Sequence, residues 1–98
     1  MARAPRFDAA EYLDSPEAIA DYLSEAFETR DDELVAKAIG AVARAQGMSS
    51  IARDAGVSRE NLYRALNAGT KPEFATVMKV LDALGIQLVA KPTEREAA

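Results

Sequence analysis

Apolar residues recur at helical spacing in successive stretches of the chain, and residues that start or stop helices separate those stretches. Ile19, Tyr22, Leu23, Ala26 and Phe27 form one stripe behind Asp14-Ser15-Pro16-Glu17. Asp14 or Ser15 can cap there, proline suits the first turn, and a helix is predicted through Thr29. The carboxylates of Arg30-Asp31-Asp32-Glu33 suit the positive end of a second helix, whose inward stripe is Leu34, Val35, Ala38, Ile39, Val42 and Ala45. Gly47 stops it. Gly40, inside that helix, costs roughly 1 kcal/mol relative to alanine and marks either close packing or tolerance.

From Ser49 to Asn67 the pattern is that of two short helices around a turn at Gly56. Ser49 and Ser58 each offer a hydroxyl cap. Ile51, Ala52, Ala55, Leu62, Ala65 and Leu66 point inward, and Val57 plugs the corner. Arg59, Glu60, Asn61, Tyr63, Arg64 and Asn67 are left on the outside of the second helix. Gly69 reads as its stop and Pro72 as the approach to another helix, defined by Phe74, Val77, Met78, Leu81 and Leu84 and ended by Gly85. Ile86-Gln87-Leu88-Val89-Ala90-Lys91 then alternates with a period of two, which predicts a short strand. A lone strand needs a partner for its backbone groups, either the stretch near Phe7 or a second copy of the chain. Residues Ile86, Leu88 and Ala90 are the candidate dimer contacts.

The fold expected is all-α, with five helices and that C-terminal strand. A single domain, 1–98, divides into an arm (1–6), acidic helices (7–47), the helix-turn-helix core (48–85), the strand (86–91) and a tail (92–98). Half of the 98 residues are apolar, which suffices for a modest core. With neither cysteine nor histidine, thiolate and imidazole chemistry is excluded. Serine, lysine and carboxylates remain, but without nucleophile–base spacing or a glycine-rich phosphate loop, so no enzyme and no cofactor are expected. Asp31-Asp32-Glu33 reads as a helix start rather than a metal site. Charges interrupt every apolar stretch and no secretory signal opens the chain, so a cytoplasmic protein without membrane contact is expected.

Net charge is −4, which at face value disfavours nucleic acid. Its distribution points the other way. Residues 1–43 carry four basic side chains against ten acidic ones, whereas 44–79 carry six basic against three acidic. Two surfaces for two kinds of partner are implied. A recognition helix presents its N-terminal residues to base edges in the major groove, here Ser58, Arg59, Glu60 and Asn61, with Arg64 a turn later. Arginine can bond guanine and asparagine adenine in bidentate fashion; Glu60 can accept from cytosine or orient Arg64. Ser49, Ser50, Tyr63, Asn67, Thr70 and Lys71 are placed for sugar and phosphate, which position the protein on the duplex.

The segment Ile51-Ala52-Arg53-Asp54-Ala55-Gly56-Val57-Ser58, with Leu62, Leu66-Asn67 and the helix ending Ala83-Leu84-Gly85-Ile86, resembles the Cro/CI-type (Xre-like, lambda-repressor-like) helix-turn-helix group. Phe7-Asp8-Ala9-Ala10-Glu11-Tyr12-Leu13, Ser58–Leu66 and Phe74–Leu81 extend the resemblance over residues 7–91 to the addiction-module antidote proteins. That resemblance implies an antitoxin of a type II module. Such a protein neutralises a small, basic RelE/ParE-like toxin, and as a homodimer it represses its own operon by binding operator DNA. Toxin contacts are not fixed by a motif. Charge complementarity directs them to the acidic segment, with Phe7, Glu11, Tyr12, Glu17, Asp21 and Glu25 as candidates. The competing readings are a stand-alone, phage-like repressor and an interaction module that has lost DNA binding.

Overall fold

In a computed structural model, residues 13–67 and 69–94 are described, and they form five helices. These are α1 (Pro16–Glu28), α2 (Asp32–Gln46), α3 (Met48–Ala55), α4 (Arg59–Ala65) and α5 (Phe74–Ala83). Helix α1 packs on α2, while α3 lies at the centre and touches α2, α4 and α5. The expectations for residues 1–12 and the last residues of the tail lie outside the described residues.

Helix starts follow the local chemistry. Of the two candidate caps before α1 it is Ser15 that acts, its Oγ accepting from the Ala18 N–H at 3.1 Å. Asp31 Oδ1 caps α2 by accepting from the N–H groups of Glu33 and Leu34, at 3.0 and 3.3 Å. Between them Arg30 adopts φ 59°, so a β-carbon-bearing residue holds the left-handed position at the end of α1. Gly47, at φ 107°, is both the last cap of α2 and the first of α3, a corner that glycine alone takes without strain.

One apolar core joins all five helices. Its most enclosed side chains are Leu13, Leu23, Ile39, Val42, Leu62, Val80 and Leu81. Leu13, just ahead of α1, is fixed from both ends: its side chain is buried, and its carbonyl accepts from Gln46 Nε2 at 3.2 Å. Gly40 is a close-packing residue. A β-carbon there would come within 3.1 Å of the Leu66 carbonyl oxygen, so its absence lets the end of α4 rest on α2.

Four expectations are corrected. Helix α3 begins at Met48 behind Gly47 and has no side-chain cap bond, so Ser49 does not cap it. In α5 Leu81 is buried and Val77 and Leu84 pack on the core as expected, but Val80 joins them, while Phe74 and Met78 are 69% and 42% exposed. Leu34, on α2, is likewise largely exposed. Phe74 and Leu34 instead border open depressions, Phe74 with Phe27, Val35 and Ile39, and Leu34 with Tyr22 and Ala26. Finally, residues 86–91 form no strand among the described residues. The Ile86 N–H donates to the Leu81 carbonyl at 2.9 Å and its side chain packs on the core, after which the backbone runs on without a ladder partner.

Candidate nucleic-acid interface

The turn between α3 and α4 fixes where the polar face of α4 points. Gly56 closes α3 in the left-handed conformation, and the Val57 N–H donates to the Ala52 carbonyl at 3.0 Å. Val57 is half-buried against the core, as its corner position requires. Ser58 then caps α4, its Oγ accepting from the Asn61 N–H at 3.0 Å. Leu62 and Leu66 are buried beneath, so the helix cannot rotate without exposing them. Arg59, Glu60, Asn61, Tyr63, Arg64 and Asn67 consequently face solvent.

Two of these side chains are held in place. Arg59 Nη1 donates to Ser49 Oγ at 3.2 Å and Nη2 to the Tyr63 hydroxyl at 3.3 Å. Its guanidinium carbon lies 5.5 Å from the Tyr63 ring centroid, within reach of a cation–π contact. The hydroxyl expected to cap α3 thus anchors an arginine of the next helix instead. Arg64 Nη1 donates to Asn61 Oδ1 at 3.0 Å. Asn61, and not Glu60, orients Arg64, because among the described residues the ion pair found is Arg53–Asp54, at 3.7 Å and exposed. Glu60 is left as an unpaired acceptor on the outer face.

The expected phosphate-side residues are less uniform. Ser49 and Tyr63 are engaged with Arg59, and Ser50 Oγ accepts from Arg53 Nη2 at 3.4 Å. The Thr70 hydroxyl bonds back to the carbonyls of Ala65 and Asn67, which fixes the loop after α4 and uses its own donor. Asn67 and Lys71 are exposed. Depressions lie on both sides of the α4 ridge. One is bordered by Asn61, Arg64, Thr70 and Lys71, the other by Arg44, Glu60, Tyr63, Arg64 and Asn67. Arg64 is the crest between them. Arg44 lies in the last turn of α2, where a positive charge favours the helix end. Its place beside α4 depends on the approach of α4 over Gly40, and that glycine is the one local sign of it in the sequence.

The remaining candidates are spread over other faces. Glu17, Asp21 and Glu25 are exposed and repeat every four residues along α1, one acidic stripe. Phe7, Glu11 and Tyr12 lie outside the described residues. Ile86 is half-buried in its own chain, while Leu88 and Ala90 are exposed. Among the described residues no group of acidic side chains converges as a metal site requires, and no helix is long and apolar enough to cross a membrane.

Comparison with known proteins gives this arrangement its context. The family described as "Probable addiction module antidote protein" matches residues 3–92. The chain belongs to that family. This antidote-family chain is also 54% identical over 81 residues to an uncharacterized protein of Haemophilus influenzae, covering 83% of the chain and 84% of its relative. No solved structure matches it. Family membership makes a toxin the natural counterpart of the antidote, and the exposed faces of α1 and α4 are its two contrasting charged surfaces.

Proposed function

We propose that the protein is the antitoxin of a type II toxin–antitoxin module, which neutralises a RelE/ParE-like toxin and represses its own operon through sequence-specific DNA binding. Helices α3 and α4 act as a Cro/CI-type helix-turn-helix, with α4 in the major groove. The observation that carries the DNA half of this reading is the tethering of Arg59 and Arg64 on the outer face of α4. Ordered guanidiniums lose little freedom when they engage a guanine edge, so a larger share of each bidentate bond appears as affinity. Ser58, Arg59, Glu60, Asn61 and Arg64 address bases. Ser49, Ser50, Tyr63, Asn67 and Lys71 address sugar and phosphate, while Thr70, whose donors are used within the loop, holds Lys71 in place beside them.

The acidic stripe of α1, with Phe7, Glu11 and Tyr12 ahead of it, is the surface proposed for the basic toxin. A homodimer presents two α4 helices about one DNA turn apart, roughly 34 Å, to a palindromic operator. Residues Ile86, Leu88 and Ala90 contribute to that dimer, Leu88 and Ala90 from exposed positions. Cytoplasmic residence follows from work on operator DNA.

A mobility-shift titration with the chain's own upstream DNA tests the central claim. Wild type is expected to give a salt-sensitive shift, and the Arg59→Ala/Arg64→Ala variant to lose preference for that DNA over a scrambled duplex. Identical behaviour of the two proteins would remove DNA reading from the function. Co-purification with a small basic protein encoded next door tests the toxin half; operator binding without such a neighbour would leave a repressor alone.

A further inference from the structure

We propose that Arg44, on α2 and outside the α3–α4 pair, contacts a DNA phosphate, so that the DNA-binding surface spans three helices rather than two. This rests on the DNA reading above and adds a contact to it. Arg44 is exposed in the last turn of α2. Its Nη1 lies 3.5 Å from the place a β-carbon of Gly40 would occupy, and the Leu66 carbonyl oxygen lies 3.1 Å from the same point. Gly40 therefore admits the end of α4, and the Arg44 guanidinium lies within ordinary contact distance of the same point, beside that end.

That guanidinium borders the same depression as Glu60, Tyr63, Arg64 and Asn67. Across the Arg64 crest, the opposite depression is bordered by Lys71 together with Glu73, as Arg44 is accompanied by Glu60 on its own flank. A helix seated in the major groove, about 12 Å wide, has a phosphate strand on each side. One cation per flank, Arg44 on one and Lys71 on the other, matches that layout. Among the described residues no carboxylate lies within ion-pair distance of Arg44. Guanidinium presents its donors as a fixed fork that suits phosphate oxygens. Arg44 also borders the depression between α1 and α2, which Glu25 and Lys37 share.

The test is equilibrium binding of the full chain to its own upstream DNA and to a scrambled duplex over a salt series, for wild type, Arg44→Gln, Arg44→Lys and Arg64→Ala. Arg44→Gln is expected to weaken both duplexes by a similar factor and to lower the slope of log affinity against log salt by about one. Arg44→Lys keeps the wild-type slope, because the charge remains. Arg64→Ala lowers the preference for the upstream DNA. Melting curves of the free proteins check that both Arg44 variants fold, and Arg44→Lys stays informative about charge if Arg44→Gln melts early. A wild-type salt slope in Arg44→Gln overturns the assignment while leaving the DNA reading intact, as does a loss confined to one duplex. Absence of any wild-type shift removes the DNA reading, and this contact with it.

Discussion

Helices α4 and α1 each bury one face and turn charge outward, yet they treat that charge in opposite ways. On α4, Arg59 is held by Ser49 and Tyr63, and Arg64 by Asn61. On α1, Glu17, Asp21 and Glu25 stand four residues apart with the same sign, and none has a side-chain hydrogen bond among the described residues. Like charges at that spacing cost a helix about 0.2–0.5 kcal/mol per pair. The contrast separates two modes of recognition. Fixed donors suit a partner whose acceptors sit at set positions, as base edges do, whereas a free stripe of one sign suits long-range attraction to an oppositely charged protein.

The sharpest way to break the contrast is to remove the support of α4. Leu62 is fully buried and is the main apolar anchor of that short helix. Leu62→Ala is expected to lower folding stability by about 2–5 kcal/mol, read from denaturant titration. The α4 amides should exchange with solvent sooner than those of α1. A uniform loss of protection across both helices would show instead that the surfaces are not separately supported.

Removing one held charge tests function rather than support. Arg64→Ala should cost operator binding on the order of 1–3 kcal/mol and relax preference at one base pair. Folding stability should stay within about 0.5 kcal/mol, because the side chain is exposed. On α1 the two effects should have opposite signs. Asp21→Lys replaces two repulsive pairs by attractive ones and should raise stability by roughly 1 kcal/mol. It should also slow toxin association, measured as an on-rate that becomes less dependent on salt. An Asp21→Lys chain that captures toxin at the wild-type rate would detach the stripe from that role.

Sequence pattern reveals elements that depend on neighbours along the chain. The caps at Ser15, Asp31 and Ser58, the corner at Gly47 and the inward residues of α3 and α4 are all of this kind. It fails where a distant element decides. Phe74 and Met78 fit a helical stripe, but α5 meets α3 through Val80 and Leu81, and period alone cannot choose between neighbouring faces of one helix. Residues 86–91 have strand-like alternation without the partner that would make them a strand. At the candidate site, the exposed set on α4 was legible because it is what the buried leucines leave over. The bonds from Ser49 to Arg59 and from Asn61 to Arg64 were not, since they follow from how α3 and α4 cross and from rotamer choice.

The smallest effect bears most directly on whether tethering matters. Tyr63→Phe removes the hydroxyl that accepts from Arg59 Nη2 but keeps the ring beside the guanidinium. A single exposed hydrogen bond of this kind contributes about 0.5–1.5 kcal/mol at most, so operator affinity should fall only a few-fold. The same loss would arise if the hydroxyl touched DNA by itself. A double-mutant cycle with Arg59→Ala separates the two causes. If Tyr63 acts by holding Arg59, Tyr63→Phe should have no further effect in the Arg59→Ala background. If the two losses add, the hydroxyl has its own contact with the duplex, and the order on α4 is a property of the free protein that recognition does not use.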